Sequence, residues 1–286
     1  MTQSQKIRGI IVPLLTPLVT PETIDAEGAR RLIDHVIAGG VHGIFILGST
    51  GEGPALSLDM QRKFIEVCVD AVGRRVPLLA GISNASAVES ARLGKFAADA
   101  GVDAAVAAVP CYLPPDEAEQ VAFYRYLTEE VPLPFFVYNM PSLTRVSMRL
   151  STLEQVLTLS GIAGYKDSSG DFAAFEAVLK RFGDRPDLSF LIGPEELTAR
   201  AVMAGGDGGV NGGANLNPKL FADLFDAADR KARPEVDRLQ AEVCEFGRLY
   251  GTPVTTTGVI RILKREAARM GLVRNVLAAP GLPLAD

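Results

Sequence analysis

Residues 77–101, PLLAGISNASAVESARLGKFAADAG, contain the unit from which most of the chain is built. Residues 77–82 form an apolar run typical of a buried strand, and residues 87–100 form an amphipathic stretch of helical length. Ser86 precedes that stretch as a candidate N-cap, and Gly101 follows it as a candidate C-terminal glycine. The segment is therefore predicted to fold as one β-strand followed by one α-helix.

The same alternation recurs along the chain. The apolar runs predicted to be strands are residues 10–15, 43–47, 77–82, 104–109, 134–138, 162–166, 188–192 and 208–210. The stretches predicted to be helices are residues 26–38, 59–72, 87–100, 116–130, 151–159, 172–182 and 195–204. Ser57 and Ser151 are candidate N-caps for two of these helices. Strand starts advance by about 28 residues, the size of one strand-helix unit. Because nearly continuous apolar strands are typical of a parallel sheet buried on both faces, the eight units predict a (β/α)8 TIM barrel.

Additional helices are predicted after the eighth strand, over residues 218–231, 233–249 and 255–270. The last two are additional to the one helix per strand that a (β/α)8 barrel contains. The chain is therefore divided into a barrel over residues 1–230, with its active site at the strand C-termini, and a C-terminal helical extension over residues 231–286 that packs on the barrel.

Charge and cysteine content exclude several classes of protein. The 29 basic and 34 acidic side chains give a net charge of −5, with no run of like charge, which argues against nucleic-acid and membrane-surface binding. The three cysteines are widely spaced, which suits a reducing compartment better than a disulfide framework. The apolar residues 7–15 are interrupted by Arg8 and Pro13, so we expect neither a signal peptide nor a membrane-spanning helix. A cytoplasmic protein is expected.

Metal chemistry has little support in the sequence. The only histidines are His35 and His42, and no HExxH or similar cluster occurs. We expect no metal site, so catalysis is expected to use other groups.

Lys166 is the one lysine of eight that ends an apolar strand-like run. In a TIM barrel the loops that follow the strands form the active face, so this side chain is expected to lie there. Partial desolvation disfavours the ammonium and leaves a neutral amine that can attack a carbonyl and form a Schiff base. A structural ion pair with Asp167 or Glu52 is the alternative.

Tyr138 ends the fifth predicted strand, one unit before Lys166, so the two side chains are expected to be neighbours. A phenol within hydrogen-bonding reach of an amine can relay protons during imine formation and carbon–carbon cleavage. An amphipathic tyrosine that merely ends a strand is the alternative.

Residues 48–51, Gly-Ser-Thr-Gly, follow the second predicted strand. Their backbone N–H groups and two hydroxyls are a suitable cradle for a small carboxylate or phosphate. The segment lacks the GKS/T of a P-loop and the GxGxxG of a dinucleotide site, which disfavours nucleotide binding. A tight turn that uses glycine for its backbone conformation is the alternative.

Three segments together resemble a family signature: GSTGE at residues 48–52, YNMP at 138–141 and GYKDSSGD at 164–171. They resemble the dihydrodipicolinate synthase / N-acetylneuraminate lyase family of Schiff-base aldolases, in family order and over nearly the whole chain. The resemblance implies that Lys166 forms a Schiff base with pyruvate or another 2-keto acid and that Tyr138 transfers the proton. The imine on Lys166 would make a metal or organic cofactor unnecessary.

The resemblance also implies roles for loop residues and for assembly. Ser49 and Thr50 would hold the pyruvate carboxylate and join the proton relay, and the backbone carbonyl of Val210 would face the site. Tyr112, after the fourth strand, would take part in catalysis, often across a dimer interface. Because family members are usually tetramers built as dimers of dimers, a homotetramer or homodimer is expected, with the extra helices at an interface.

One position departs from the pattern of the dihydrodipicolinate synthases. They carry an arginine that grips the carboxylate of the aldehyde substrate, at the position of Leu143 here, and Arg145 lies two residues further on. The segment YNMPSLT at 138–144 is more similar to the lyase and keto-deoxy-sugar-acid aldolase branches. Glu195 and Glu196 fall where sialic-acid-type lyases place acidic residues that contact sugar hydroxyls, which favours a hydroxyl-rich substrate. Acids in the first turn of a helix are the alternative interpretation.

The expected function is a lyase or aldolase that acts on pyruvate or a 2-keto-3-deoxy sugar acid and makes or breaks the C3–C4 bond. The family alternatives are synthesis of 4-hydroxy-tetrahydrodipicolinate from pyruvate and aspartate semialdehyde, and dehydration of a 2-keto-3-deoxy acid. A non-catalytic 2-keto-acid binding protein is the alternative of another class. Another alternative is that this chain is a different kind of barrel enzyme, one that binds a phosphate group with the glycine-rich residues 205–209 and 211–213. Cys111 is the weakest candidate nucleophile, because neither histidine lies at a predicted active-face position.

Overall fold

The computed structural model describes residues 6–251 and 255–285 of the chain. Its eight parallel strands close into one barrel, in which each strand pairs with the next along the chain and the last pairs with the first. The barrel strands are β1 (Gly9–Pro13), β2 (Gly43–Ile46), β3 (Leu78–Gly81), β4 (Ala104–Ala108), β5 (Phe135–Asn139), β6 (Ile162–Asp167), β7 (Ser189–Ile192) and β8 (Gly208–Gly209). The predicted (β/α)8 TIM barrel is confirmed.

Helices lie between the strands and continue after the last one. They are α1 (Ala26–Ala38), α2 (Leu58–Val72), α3 (Ala87–Ala100), α4 (Glu117–Glu130), α5 (Pro141–Thr144), α6 (Leu150–Val156), α7 (Phe172–Phe182), α8 (Thr198–Met203), α9 (Pro218–Asp229), α10 (Arg233–Gly247) and α11 (Thr256–Arg269). Short 3₁₀ helices lie at Gly53–Ala55, Glu195–Leu197, Gly212–Asn215 and Arg248–Tyr250. A hairpin of Leu18–Thr20 and Thr23–Ile24 precedes α1. The additional C-terminal helices predicted from the sequence are present as α10 and α11.

Two of the three predicted serine N-caps are confirmed. Ser57 and Ser86 each accept a hydrogen bond from the backbone N–H three residues on, at 3.3 and 3.4 Å. The prediction for Ser151 is wrong, because α6 already begins at Leu150. The Ser151 hydroxyl instead donates to the carboxylate of Glu117, at 3.2 Å.

The helix predicted over residues 195–204 is interrupted near its start. Glu195–Leu197 forms a 3₁₀ turn, and α8 begins only at Thr198. The Glu195 carboxylate accepts a hydrogen bond from the backbone N–H of Gly213 at 2.6 Å. This hydrogen bond ties the 3₁₀ turn to the loop after β8. The apolar pattern of residues 195–204 could not predict the bond, because Gly213 lies outside that segment.

Apolar side chains form two groups. The inner group fills the barrel and includes the buried Ile11, Phe45 and Phe136. The outer group lies between the strands and the surrounding helices. Side chains that alternate along a strand point to opposite faces of the sheet, which separates the two groups. Because Tyr138 and Val210 belong to the inner group, the packed interior forms the floor of a site at the strand C-termini.

The C-terminal extension packs on the outer layer of the barrel. Val236, Leu239 and Val243 of α10 and Leu263 of α11 are buried in the outer group. The predicted boundary after residue 230 falls in the turn between α9 and α10, and the division into two domains stays a prediction. Across the described ranges, no helix combines the length and apolar character that crossing a membrane would require.

Candidate active site

Tyr138 and Lys166 lie side by side at the C-terminal ends of β5 and β6. The parallel register pairs the two residues directly. The Lys166 Nζ atom lies 3.9 Å from the centre of the Tyr138 ring and 4.7 Å from the centre of the Phe45 ring. Both rings belong to the inner apolar group, so the lysine points into the barrel mouth. The structure therefore brings together the two side chains that the sequence predicts to be neighbours.

The Lys166 side chain has little access to solvent and no counter-ion among the residues that the structure describes. The residue is 5% exposed, and burial lowers the pKa of its ammonium group, an effect that the adjacent Tyr138 opposes. Among the described residues, Lys166 forms no ion pair, and Glu52 pairs with Lys264 of α11 instead, with nitrogen and oxygen 2.5 Å apart. The alternative of a structural ion pair at Lys166 is therefore wrong. A lowered pKa increases the fraction of neutral amine, which is the nucleophilic form.

Asp167 fixes the end of β6 through a set of short hydrogen bonds. Its carboxylate accepts from the Asn139 amide at 2.7 Å, the Tyr165 hydroxyl at 2.5 Å, and the backbone N–H and hydroxyl of Ser169 at 2.9 and 2.6 Å. Asn139 and Asp167 face each other across β5 and β6, one residue beyond the Tyr138 and Lys166 pair. From the sequence, Asp167 is predicted only as an alternative ion-pair partner of Lys166 and no role is predicted for Asn139, although polar side chains at buried strand ends are a signal for one. The network holds the strand that carries Lys166 against the strand that carries Tyr138.

The loop after β2 brings a hydroxyl to Tyr138. The hydroxyl oxygens of Ser49 and Tyr138 lie 3.4 Å apart. A Cβ atom at Gly51 would lie 2.7 Å from the backbone carbonyl oxygen of Leu14, so only glycine fits where this loop crosses the chain after β1. The tight turn thus places the Ser49 hydroxyl beside Tyr138, and the carboxylate cradle stays a prediction.

The loops after β7 and β8 meet the C-terminal extension. Val210 is 5% exposed and lies in the inner group beneath the barrel mouth. The Glu195 carboxylate, which binds Gly213, also accepts from the Tyr250 hydroxyl, at 3.3 Å to each oxygen. Burial raises the pKa of Glu195 to about 7, although both hydrogen-bond donors act in the opposite direction. Thr50 completes this side of the mouth, since its methyl group lies close to Gly212.

A cavity of about 600 Å³ opens beside the hydroxyl pair of Ser49 and Tyr138. It extends over the C-terminal ends of β2 to β5, and Leu143 forms part of its wall. Arg145 is exposed, has a left-handed φ of 64°, and is not among the residues that line the cavity. The Arg145 side chain therefore does not lie in the part of the wall that Leu143 forms.

Of the eight predicted site residues, Ser49 and Tyr138 line this cavity, and the other six are not among its lining residues: Lys166, Thr50, Val210, Glu195, Glu196 and Tyr112. Glu196 is exposed and borders a separate surface groove with Arg200 and Arg233. Tyr112, in the loop after β4, is 85% exposed, and the neighbouring Leu113 is 79% exposed. Within a single chain, neither Glu196 nor Tyr112 is part of the cavity wall.

The alternative sites predicted from the sequence are not assembled. Residues 205–207 precede β8 and residues 211–213 follow it, so the two glycine-rich segments lie at opposite ends of that strand and cannot form one phosphate grip. His42 lies before β2, with its ring centroid 4.9 Å from that of Phe225 of α9. Cys111 lines the cavity, which lies at the other ends of the strands and therefore away from His42. In the part of the chain that the structure describes, no three His, Cys, Asp or Glu side chains are grouped as metal ligands would be, and a metal-free reaction stays a prediction.

The site is chemically suited to reactions of an amine with a carbonyl. It offers a buried lysine of lowered pKa, a phenol beside the amine, and a second hydroxyl beside the phenol. Such a set can attack a carbonyl carbon and move the protons that imine formation requires.

Comparison with known proteins gives one consistent result. The model of a family described as the dihydrodipicolinate synthetase family matches residues 6–286. A 4-hydroxy-tetrahydrodipicolinate synthase of Herminiimonas arsenicoxydans is 31% identical over 281 residues, covering 98% of this chain and 94% of the relative. An N-acetylneuraminate lyase of Enterobacter sp. (strain 638) is 30% identical over 285 residues, covering 99% and 94%. A solved dihydrodipicolinate synthase structure from Bacteroides thetaiotaomicron has a TM-score of 0.94 at 39% identity, covering 99% of this chain and 95% of the other.

Proposed function

Because the chain belongs to the dihydrodipicolinate synthetase family, we propose that it makes or breaks the C3–C4 bond of a 2-keto acid through an imine on Lys166. The family resemblance predicted from the motifs is confirmed. The protein is an enzyme of the pyruvate-dependent aldolase and lyase class, acting on carbon–carbon bonds. In the proposed reaction the imine is the electrophile, so no separate cofactor takes part.

The first half of the proposed reaction forms the imine. The 2-keto acid binds with its carboxylate on Ser49 and Thr50, and the Lys166 amine attacks the C2 ketone. The resulting carbinolamine loses its hydroxyl group as water, with the proton delivered through Tyr138, and a protonated imine remains.

The second half breaks the C3–C4 bond. Tyr138 takes the proton of the C4 hydroxyl while the electron pair of the C3–C4 bond moves to C2–C3 and the imine π pair moves to nitrogen. An aldehyde leaves, and the enamine takes up a proton at C3. Water then adds to C2 and releases pyruvate, which regenerates the Lys166 amine and consumes the water released earlier. The reverse sequence makes the bond.

The observation that carries the proposal is the row of Lys166, Tyr138 and Ser49. The amine nitrogen lies 3.9 Å from the phenol ring centre, and the two hydroxyl oxygens lie 3.4 Å apart. A lysine that served only stability would normally be paired when buried this deeply, whereas Lys166 forms no ion pair with the described residues. An uncompensated buried amine beside a proton relay is what imine chemistry needs.

Borohydride reduction tests the imine directly. Sodium borohydride added with pyruvate should leave one reduced pyruvyl group on Lys166, detected by mass spectrometry of the intact protein and its peptides. Lys166→Ala should stay unmodified, whereas Lys219→Ala, which removes an exposed lysine paired with Asp223, should be labelled like the wild type. Equal labelling of the wild type and Lys166→Ala would overturn the proposal.

A second candidate function is synthesis of 4-hydroxy-tetrahydrodipicolinate from pyruvate and aspartate semialdehyde, because the 31% identical relative bears that name. Leu143 in the cavity wall argues against it, since an apolar side chain offers no partner for a carboxylate. Condensation of aspartate semialdehyde should be measured beside pyruvate release from keto-deoxy acids. Dehydration of such an acid would begin from the same imine but would release water and no aldehyde.

We also propose that the chain forms a homodimer or homotetramer in which Tyr112 contacts a second copy. Tyr112 and Leu113 are exposed, and an apolar pair at a barrel mouth is a suitable contact for another subunit. Sedimentation velocity should show smaller species for a Tyr112→Ser, Leu113→Ser double variant than for the wild type. The cytoplasmic location stays a prediction.

A further inference from the structure

We infer that the aldehyde half of the substrate is an uncharged, apolar aldehyde. The complete substrate is then a 4-hydroxy-2-keto acid with an aromatic or aliphatic group on C4. This inference rests on the proposed function, because it places the C4 substituent in the cavity that opens beside Ser49 and Tyr138.

The described residues that form the walls of this cavity are uncharged. Among the residues that the structure describes, no acidic or basic side chain lines the space of about 600 Å³. The large aliphatic and phenyl side chains of the wall are those of Phe45, Leu47, Leu56, Leu58, Val109, Met140 and Leu143. A carboxylate or ammonium group that entered would lose its hydration without gaining a counter-ion, which is strongly unfavourable. An aromatic or aliphatic group would instead bury apolar surface against these walls.

Most polar side chains of the wall already make a hydrogen bond within the protein, including Asn84, whose Oδ1 accepts from the Ser86 N–H at 3.0 Å. Gln61 donates to two loop carbonyls, at 2.8 and 3.1 Å. Ser83 and Ser57 each accept a backbone N–H, at 2.9 and 3.3 Å. Thr144 donates to a backbone carbonyl at 3.0 Å. A polyol chain in this space would have to compete with these bonds, so a hydroxyl-rich aldehyde fits the cavity poorly.

The acidic residues that favoured a hydroxyl-rich substrate are engaged elsewhere. Glu195 binds the Gly213 N–H and the Tyr250 hydroxyl, and Glu196 borders a separate groove. Neither is among the residues that line the cavity. The two acidic residues therefore do not line this cavity, which leaves an apolar space beside Ser49 and Tyr138.

The reaction on such a substrate needs no further reactant. The C4 hydroxyl proton passes to Tyr138, the C3–C4 bond breaks, and the apolar aldehyde leaves. C3 then regains a proton, and water releases pyruvate from Lys166. In the other direction, the enamine of pyruvate attacks the aldehyde carbon, and the new C4 alkoxide takes its proton from Tyr138.

A panel of aldehydes that differ in charge and polarity tests the inference on the wild-type enzyme. At saturating pyruvate, kcat/KM for condensation is measured with benzaldehyde, pentanal, succinate semialdehyde and glyceraldehyde. We expect the better apolar aldehyde to exceed both others by at least about tenfold, because a charged group finds no counter-ion in the described wall and a polyol cannot bury apolar surface against it. An equal or faster reaction of succinate semialdehyde or glyceraldehyde would overturn the inference. Failure of both apolar aldehydes to react, in a preparation that traps pyruvate with borohydride, would overturn it as well.

Borohydride trapping on the same preparation distinguishes failure of the imine mechanism from failure of the proposed aldehyde preference. Trapping of pyruvate supports the proposed function whatever the aldehyde preference is. If pyruvate is not trapped, the proposed function fails, and the inference about the aldehyde fails with it.

A substitution in the cavity wall gives a second test. Leu143 is 42% exposed, so the longer side chain of Leu143→Arg has room, and it introduces one positive charge. The ratio of kcat/KM for succinate semialdehyde to that for benzaldehyde should rise by at least about tenfold over the wild type. Leu150→Arg, at a 37% exposed leucine outside the cavity, should leave the ratio unchanged. An unchanged ratio in a folded Leu143→Arg enzyme would count against the inference, and the wild-type panel decides if that variant does not fold.

Discussion

Lys264 of α11 forms a buried ion pair with Glu52, the last residue of the loop that carries Ser49 and Thr50. Its ammonium group also donates to the Val276 carbonyl at 2.6 Å, and the second oxygen of Glu52 accepts from the Ala278 N–H at 2.9 Å. The C-terminal extension therefore holds the loop that is proposed to bind the 2-keto-acid carboxylate. Glu52 itself has a left-handed φ of 56°, so this contact stabilises a backbone conformation that few residues adopt readily.

Removal of one partner should destabilise the fold strongly. Lys264→Met leaves the Glu52 carboxylate buried without its counter-ion, and we expect a loss of about 3–5 kcal/mol in the free energy of unfolding. Lys219→Met removes a lysine from an exposed pair with Asp223 and should cost less than about 1 kcal/mol. Urea unfolding of the three proteins measures both values.

A double variant distinguishes the pair from two independent effects. Lys264→Met combined with Glu52→Gln removes both charges, so its loss should be smaller than the sum of the two single losses. If the losses are simply additive, or if Lys264→Met and Lys219→Met lose equal free energy of unfolding, the Lys264–Glu52 ion pair does not stabilise the fold as proposed.

Tyr138→Phe should separate the ring from its hydroxyl. The ring would still cover Lys166, but the phenolic proton relay beside Ser49 would be lost, so kcat should fall by about 100-fold or more. Steady-state condensation kinetics measure the fall. Tyr126→Phe, at a partly buried tyrosine that packs on the outer apolar group, serves as the control and should retain wild-type kcat. A Tyr138→Phe enzyme with nearly normal kcat would remove the phenol from the mechanism.

Glu195 should make stability depend on pH. Its usual pKa is 4.5 and burial raises it to about 7 in the folded chain. Between these values the unfolded chain releases the proton while the folded chain keeps it, so the free energy of unfolding falls as pH rises from 4.5 to about 7. The fall attributable to this residue should be roughly 2 kcal/mol, since each pKa unit corresponds to about 1.4 kcal/mol and partial hydration reduces the effect.

Glu195→Gln tests the assignment, because it should lose this part of the pH dependence and become the more stable protein near neutral pH. Glu196→Gln, at an exposed neighbour, should keep the wild-type profile. Urea unfolding at several pH values between 4 and 8, run on all three proteins, provides the comparison. Identical slopes for Glu195→Gln and the wild type would show that another group is responsible.

The sequence predicts the barrel and the pair of Tyr138 and Lys166 for the same physical reason. Each of these residues ends an apolar run, and consecutive strands of a parallel barrel end side by side. The partners of Glu52 could not be predicted in this way, because one of them, Ala278, lies 226 residues further along the chain. The same holds for Glu195, whose hydrogen bond to Tyr250 depends on how the extension folds back onto the barrel. Local patterns specify strands and their ends, whereas contacts between distant loops depend on the assembled fold.

Lys166→Met should make the enzyme inactive and more stable. The folded protein lowers the pKa of Lys166 mainly by burial, which means that folding removes an ammonium group from water without giving it a counter-ion among the described residues. Methionine has a similar volume and no charge, so the free energy of unfolding at neutral pH should rise. The free energy of unfolding of the wild type should also rise with pH between the lowered pKa of Lys166 and the usual value of 10.5. In that pH range the unfolded chain binds more protons than the folded chain. Lys166→Met should lack this rise. Lys219→Met is again the matched control, and urea unfolding at pH 7 and pH 9.5 measures the effect. A Lys166→Met protein less stable than the wild type at both pH values would show that the lysine contributes to folding and is not held at a cost for catalysis.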